Sequence, residues 1–383
     1  MSKKICVLIS VITTFVITTA LILGLLVFVT PFGDFLAVRS IIMAGFVREV
    51  DSDDLDNAAL YGMVEELDDP YSQYLSDEEY AMFIESLNSE YQGIGVEIYI
   101  DAEDNLVTVA GVFENTSAAE AGIRAGDKII KINDLDISEE TYAEMLLLLK
   151  SDKNVSKFEI VLLRGEEKIT VNCERCKIER DTVSFKKYGE TAYIKIAEFS
   201  DNTVAEFVKA LEETDAQNSD GIIIDLRNNP GGFFDTAVDI ADILLPECNI
   251  AYTSNKSGRK QYYNSDKHFI DVPIVLLVNE NSASASEILT GALRDNLKTP
   301  VVGTRSFGKG CVQTLVPLPG KAGALRLTTS YYYSPSGVCI QDVGFTPDYE
   351  VELSEQAKKK PIGELSINED TQLAKALEIL RSR

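Results

Sequence analysis

From Thr182 onward, continuously apolar strands alternate with amphipathic helices, and this alternation restricts the fold more than any other feature of the chain. Its segments are ETAYIKIAEF, TVAEFVKALEET, GIIIDL, DTAVDIADILL, PIVLLVN, SEILTGALRDN and TPVVGT. A strand that is apolar along its whole length has no face to offer to water, so both faces need cover, and the intervening helices can supply it. That pattern predicts an α/β layer built on a parallel sheet. Ligands of such sheets sit where strands end and helices begin. Three loops qualify: RNNPGG at 227–232, ENSASASE at 280–287 and RSFGKG at 305–310.

The rest of the 383 residues divides by pattern. Ile5–Val29 is a run of 25 residues without a charge, long enough as a helix to cross about 30 Å of hydrocarbon. Lys3 and Lys4 precede it, so the positive-inside rule leaves the N-terminus in the cytoplasm and all that follows outside. A cleaved signal peptide is the competing reading, but the run is long and lacks an A-x-A-like site. Between Arg48 and Glu90 there are fourteen Asp and Glu against one basic residue, while Leu55, Leu60, Met63 and Leu67 keep a helical rhythm. This stretch reads as solvated acidic helices, closing with DEEYAMFIESL.

From Tyr91 the pattern changes to short alternating runs, GVEIYI, NLVTVAGVF, DKIIKIN, KFEIVLL and KITVN, with the single helical run EETYAEMLLLLK. They predict a small, mostly β domain. The expected division is 1–30 as cytoplasmic tip and anchor, 31–90 as helical arm, 91–178 as the β-rich domain, 179–353 as the α/β core and 354–383 as a tail with a closing helix. The class is therefore a multidomain chain, α/β and α+β, behind a transmembrane helix.

A formal charge of −25 would repel phosphate backbones, so no nucleic-acid partner is expected. Six cysteines do not make a disulfide scaffold. Cys173 and Cys176 form a CxxC without a second pair, and His268 is the single histidine, so a tetrahedral zinc site lacks ligands. No metal and no cofactor are expected.

Ser282, Ser284 and Ser286 stand between a buried strand and a helix. Ser284-x-x-Glu287 fits a capping box, which would make the serine structural. A hydroxyl at a helix start also has backbone amides and the positive end of the dipole beside it, which suits a nucleophile. A serine nucleophile needs a base, usually histidine, but His268 lies in the polar segment QYYNSDKHF. Lysine is the alternative where burial favours its neutral form. Lys309 is the candidate, between Gly308 and Gly310, although most Gly-Lys-Gly triplets are solvated turns. Gly303–Lys309 also matches G-x-x-x-x-G-K of a P-loop, but Gly310 replaces the required Ser or Thr and CVQTLVPL alternates like a strand. The turn at Gly231 and Gly232 could aim amides into the same crevice, jointly with that of Ala285.

Taken together, DLRNNPGG, SASASEILTGALRDN and VVGTRSFGKGCVQ resemble the signature segments of the C-terminal processing, or tail-specific, peptidases. GMVEELDDPYSQYL resembles the family's segment ahead of its PDZ domain. YQGIGVEI and SAAEAGIRAGDKIIKIND resemble that PDZ domain, and YYYSPSGVCIQDVGFTPD resembles the end of the protease core. The resemblance implies a PDZ-like domain at 91–178, a ClpP/crotonase-like protease core, Ser284 as nucleophile and Lys309, 25 positions on, as base. It further implies that Gln313 orients the lysine, with Ala285 and Gly231 or Gly232 as oxyanion donors, and gives Asp295 a structural role. Ser306 and Val338-Cys339 depart from the usual family residues, the latter in a loop near substrate.

The PDZ-like domain would receive an extended, apolar C-terminal tail, its carboxylate held around Gly93, Ile94, Gly95 and Val96. The whole chain would then be a single-pass cell-membrane endopeptidase with its catalytic part outside the cytoplasm, acting near the C-termini of protein substrates. The tail helix and acidic arm point to homodimer pairing. A catalytically inactive peptide-binding membrane protein is the alternative.

Overall fold

The computed structural model describes residues 3–29, 31–87, 90–101, 104–113, 115–150, 155–179, 181–320 and 323–382. The chain divides after Ser76 into two compact units.

The first unit is helical, with helices Lys3–Val29, Pro31–Gly45 and Ser52–Glu65. Asp51 caps the third helix by accepting from the Asp53 and Asp54 N–H groups, and the acidic first turn complements the helix dipole. Arg39 ties the second helix to the third through Asp56, at 2.5 and 2.9 Å, and Ser52, at 2.6 Å. The acidic stretch is thus folded in part as helix, as its periodicity predicts. Among the described residues no helix is long and apolar enough to cross a membrane.

The second unit opens with helix Asp77–Leu87. Strands Val96–Ile100, Val107–Val112, Lys128–Ile132, Lys157–Arg164 and Glu167–Glu174 then pair in that order, all antiparallel, with helix Tyr142–Lys150 between the third and fourth. Alternating residues such as Phe158, Ile160 and Leu162 enter a core with Val107, Ile129 and Met145. Cys173 is buried in this core, a small apolar side chain rather than a metal ligand. Among the described residues no group of His, Cys, Asp and Glu could hold a metal ion.

The α/β core follows. Its sheet has the order Val183–Tyr188, Thr191–Ile196, Gly221–Asp225, Ile274–Val278, Val301–Gly303, Tyr349–Glu350. The last five strands are parallel, as the apolar runs predict, while the first is antiparallel to its neighbour. The difference comes from a tight hairpin at Gly189, whose φ of 65° a side chain would disfavour. Ile222 and Ile224 face helices Thr203–Glu213, Phe234–Leu244 and Ala285–Leu297. Ile223, Val275 and Leu277 point the other way and are covered by Leu373, Leu377 and Leu380 of the tail helix Thr371–Arg381. Each such leucine contributes roughly 1.5–3 kcal/mol of burial. Strands Cys311–Pro317, Ala324–Tyr333, Asn249–Asn255 and Lys260–Asn264 pair antiparallel as a separate layer. Because Cys311–Pro317 is a strand, the lysine loop does not open a helix, which a P-loop requires.

Candidate active site

The three serines have different surroundings. Ser282 donates to the Leu226 carbonyl at 2.8 Å and Ser286 to the Asn229 carbonyl at 3.0 Å, and both are fully buried. Their hydroxyls pin the serine loop to the RNNPGG loop. Ser284 is half-buried and lines a cavity of about 560 Å³. Its backbone lies at φ 55°, ψ −113°, a conformation that a residue with a Cβ adopts only when its surroundings impose it. Strand, strained turn and helix together form the geometry of a nucleophile elbow.

Glu287 imposes it. This fully buried carboxylate accepts from the Ser284 N–H at 3.0 Å, the Lys309 N–H at 2.9 Å, the Gly308 N–H at 2.8 Å and the Ser306 hydroxyl at 2.6 Å. The four donors use the bonding capacity of an ionised carboxylate. Burial pushes its pKa up, while the four hydrogen bonds pull the other way without fully compensating. The capping-box spacing pointed to Glu287, but only as a helix cap. The Glu287 N–H donates to the Ser284 carbonyl at 2.8 Å.

Lys309 is half-buried and lines the same cavity as Ser284 and Gln313. Its neighbours are not those of a solvated turn. A Cβ on Gly308 would lie 2.8 Å from the Gly344 nitrogen, and one on Gly310 2.6 Å from the Gln341 nitrogen. The loop is therefore pressed against the segment at 340–344, and Gly310 donates to Gln341 Oε1 at 2.9 Å. Gln313 Nε2 donates to Thr328 Oγ1 and Cys311 Sγ, each at 3.2 Å. Ile288, Val312, Leu315 and Tyr332 give the cavity an apolar wall, and Phe83 and Ile84 of helix Asp77–Leu87 line it as well. His268 is exposed, bonded to Asp266 and not part of the cavity lining.

Gly231 lies against the elbow and Gly232 against Phe199, with φ of 107° and 137°. A Cβ on Gly231 would meet the Ser284 Cβ at 2.8 Å and the Ala285 nitrogen at 3.1 Å, and one on Gly232 would meet the Phe199 carbonyl at 2.0 Å. The Gly231 N–H already donates to Asn229 Oδ1 at 2.8 Å. That bond to Asn229 separates Gly231 from Gly232 as a candidate donor. Ala285 opens the helix, so its N–H precedes the intrahelical ladder.

Asp295 accepts from the Ser336 N–H at 2.9 Å. Burial pushes its carboxyl up, but hydrogen bonds from Ser334 and Ser336 outweigh this and hold it below the usual range. In the β-rich domain, the Ile94 carbonyl accepts from Ala118 at 2.9 Å and the Gly95 carbonyl from Phe113 at 3.0 Å. The Ile94 side chain is buried, Val96 is half-buried, and Gly93 pairs with Cys176.

Comparison with known proteins supplies the family. Residues 190–351 match the model of peptidase family S41, residues 83–161 that of the PDZ domain, and residues 33–79 that of the N-terminal domain of the activating protease CtpB. A carboxy-terminal-processing protease of Bartonella bacilliformis is 36% identical over 318 residues, 80% of this chain and 72% of that protein. A carboxyl-terminal-processing protease of Synechocystis is 32% identical over 332 residues, covering 84% and 76%. The solved photosystem II D1 C-terminal processing protease is 28% identical with a TM-score of 0.53, covering 83% of this chain and 86% of that one. With its PDZ domain and α/β core, the chain belongs to the carboxy-terminal-processing proteases of peptidase family S41, which are serine peptidases.

Proposed function

We propose that the protein is a membrane-anchored, extracytoplasmic endopeptidase that cleaves proteins near their C-terminal tails through a Ser284–Lys309 dyad. One observation carries the dyad: Ser284 stands on a strained elbow lining the same cavity as Lys309, and one carboxylate oxygen holds both backbones. Neutral Lys309 takes the Ser284 proton as the hydroxyl oxygen attacks the peptide carbonyl. The amides of Ala285 and Gly232 receive the oxyanion, the released amine departs with a proton, and water resolves the acyl-enzyme. Gly231 acts through shape, since its own N–H is held by Asn229. Gln313 shares the cavity with Lys309, which supports its role in orienting the lysine.

The PDZ domain takes the substrate tail as an added strand, its carboxylate near Gly93, Ile94, Gly95 and Val96. Ile98 and Leu146, both half-buried beside this unit's core, support a preference for an apolar terminal side chain. The anchor is supported by the uncharged run Ile5–Val29 behind Lys3 and Lys4. The helical arm, with Phe32, Val38, Ile41 and Val47 exposed, supports pairing of two copies.

The test is cleavage of an unstructured protein with an apolar C-terminus by the detergent-solubilised full chain. Ser284→Ala and Lys309→Ala each abolish cleavage without loss of folding. Activity persisting in either variant overturns the assigned role, and inactivity of the unaltered chain shifts weight to a peptide-binding module. Resistance to alkaline carbonate extraction checks the anchor. An amidated substrate C-terminus that is cleaved as fast as a free one removes the carboxylate role of the PDZ loop.

A further inference from the structure

The RNNPGG loop is held in a conformation it would not adopt by itself. Asn228, Gly231 and Gly232 have φ of 60°, 107° and 137°, three left-handed backbones within five residues. Asn228 is fixed by Asn279 and Asn281, and Asn229 binds the Ile196 carbonyl and the Gly231 N–H. The Asn229 carbonyl also receives the Ala283 N–H and the Ser286 hydroxyl, both at 3.0 Å. The loop and the serine elbow therefore share their backbone positions.

The loop's first residue, Arg227, is the largest fully buried side chain among the described residues. Its Nε and Nη2 donate to Asp225 at 2.6–3.1 Å, Nη1 to Asp370 Oδ1 and Gln372 Oε1, and Nη2 to Asp370 Oδ2, the last three each at 2.9 Å. All five guanidinium donors are placed. Asp370 is also the N-cap of the tail helix, accepting from the Leu373 N–H at 3.0 Å with the same Oδ1 that receives Arg227. Gln372 Nε2 donates to the Val351 carbonyl at 2.8 Å. Capping the tail helix and seating Arg227 are thus one event. The tail helix lies outside the segment that matches the protease family, residues 190–351.

We infer that Asp370 and Gln372 are positioning residues for catalysis: through Arg227 they hold the loop that presents Gly232 to the oxyanion, so the tail helix is part of the catalytic scaffold. The inference rests on the proposed roles of Ser284 and Gly232. A buried guanidinium that loses its second carboxylate must move or recruit water, and the glycine amide moves with it. Oxyanion donors act only when aimed at the developing charge, so the loss appears in turnover more than in ground-state binding.

The test compares Asp370→Asn, which keeps a capping oxygen but removes the charge, with Leu377→Ala, which weakens packing of the same helix without touching Arg227. Each full-length protein is assayed at a temperature where circular dichroism shows it folded. The readouts are kcat, KM, and affinity for a peptidyl boronic acid whose adduct places an oxygen in the oxyanion hole, against the plain peptide acid. The expected result for Asp370→Asn is a fall of about tenfold or more in kcat and in boronate affinity, with KM and plain-peptide affinity within about twofold. Leu377→Ala keeps all four near the unaltered values. Unchanged kcat and boronate affinity in folded Asp370→Asn overturn the inference, as do equal losses in both variants. Ser284→Ala separates the underlying reading: if it still forms the adduct, the nucleophile is misassigned, whereas a dead Ser284→Ala beside a fully active Asp370→Asn sinks this inference alone.

Discussion

The backbone amides of Ser284 and Lys309 donate to the same atom, Glu287 Oε2, at 3.0 and 2.9 Å. The two side chains of the proposed dyad come from different loops, and this shared acceptor sets their spacing. Glu287→Gln places an amide NH₂ where only donors converge. We expect a loss of about 1–3 kcal/mol in stability, from a buried donor left without an acceptor. We also expect kcat to fall on the order of 100-fold from displacement of the reacting groups. Thermal unfolding and steady-state kinetics check both, and a variant with normal kcat refutes the spacing role.

Gly231 has no room for a methyl group, since its Cβ would lie 2.8 Å from that of Ser284 and its φ is 107°. Gly231→Ala is expected to push the elbow aside and cut kcat by about 100-fold or more. Labelling of Ser284 by a fluorophosphonate should slow in step. Labelling at the normal rate would show that the loop yields instead of the nucleophile.

In the PDZ domain, Arg164 binds buried Asp127 through two bonds of 2.7 Å. Burial pushes the Asp127 carboxyl up, but Arg164 and the Arg124 N–H prevail and hold it below the usual carboxylate range. Its folded pKa is thus below the unfolded value of about 3.9, so its stabilisation is present above that pH and is lost as pH falls through the folded value. Arg164→Leu is expected to cost about 2–4 kcal/mol, by leaving a buried carboxylate without its cation, and to move acid unfolding of this domain to higher pH. Hydrogen exchange of Val107–Val112 and Lys157–Arg164 reports it. An unshifted acid transition would assign the stability to other groups.

Phe83 lines the cavity of Ser284 and Lys309 from helix Asp77–Leu87, its ring centre 5.3 Å from the Arg326 guanidinium carbon. Phe83→Ala removes apolar wall without touching the reacting groups. KM for an apolar peptide is expected to rise about three- to tenfold, with kcat within about twofold, the loss of one side-chain contact being worth roughly 1 kcal/mol. A kcat effect larger than the KM effect would place Phe83 in positioning instead.

Much of this was legible from local pattern. Ile222, Ile223 and Ile224 announce a strand buried on both faces, and the helices that follow announce the cover. Local pattern leaves Ser284 a helix cap and Lys309 a turn lysine; the pair is singled out by the resemblance of SASASEILTGALRDN and VVGTRSFGKGCVQ to the family's signature segments. The hydroxyls of Ser282 and Ser286 could not be sorted from that of Ser284, because their acceptors, the Leu226 and Asn229 carbonyls, lie 56 and 57 residues away. Glu287 was visible as a cap, but its bonds to Ser306, Gly308 and Lys309 depend on how two loops meet in space. Nothing in RNNPGG signals the burial of Arg227, and only the fold shows it fully enclosed between Asp225 and Asp370.

The partners Arg227 and Asp370 are separated by 143 residues. During synthesis the guanidinium is made long before its second counterion, so a chain cut short ahead of Asp370 has Asp225 alone to pair the cation beside the glycine loop. If this joint seats the glycine loop as inferred, a chain that stops ahead of Asp370 is expected to cleave more slowly than the full chain even where its α/β sheet has formed.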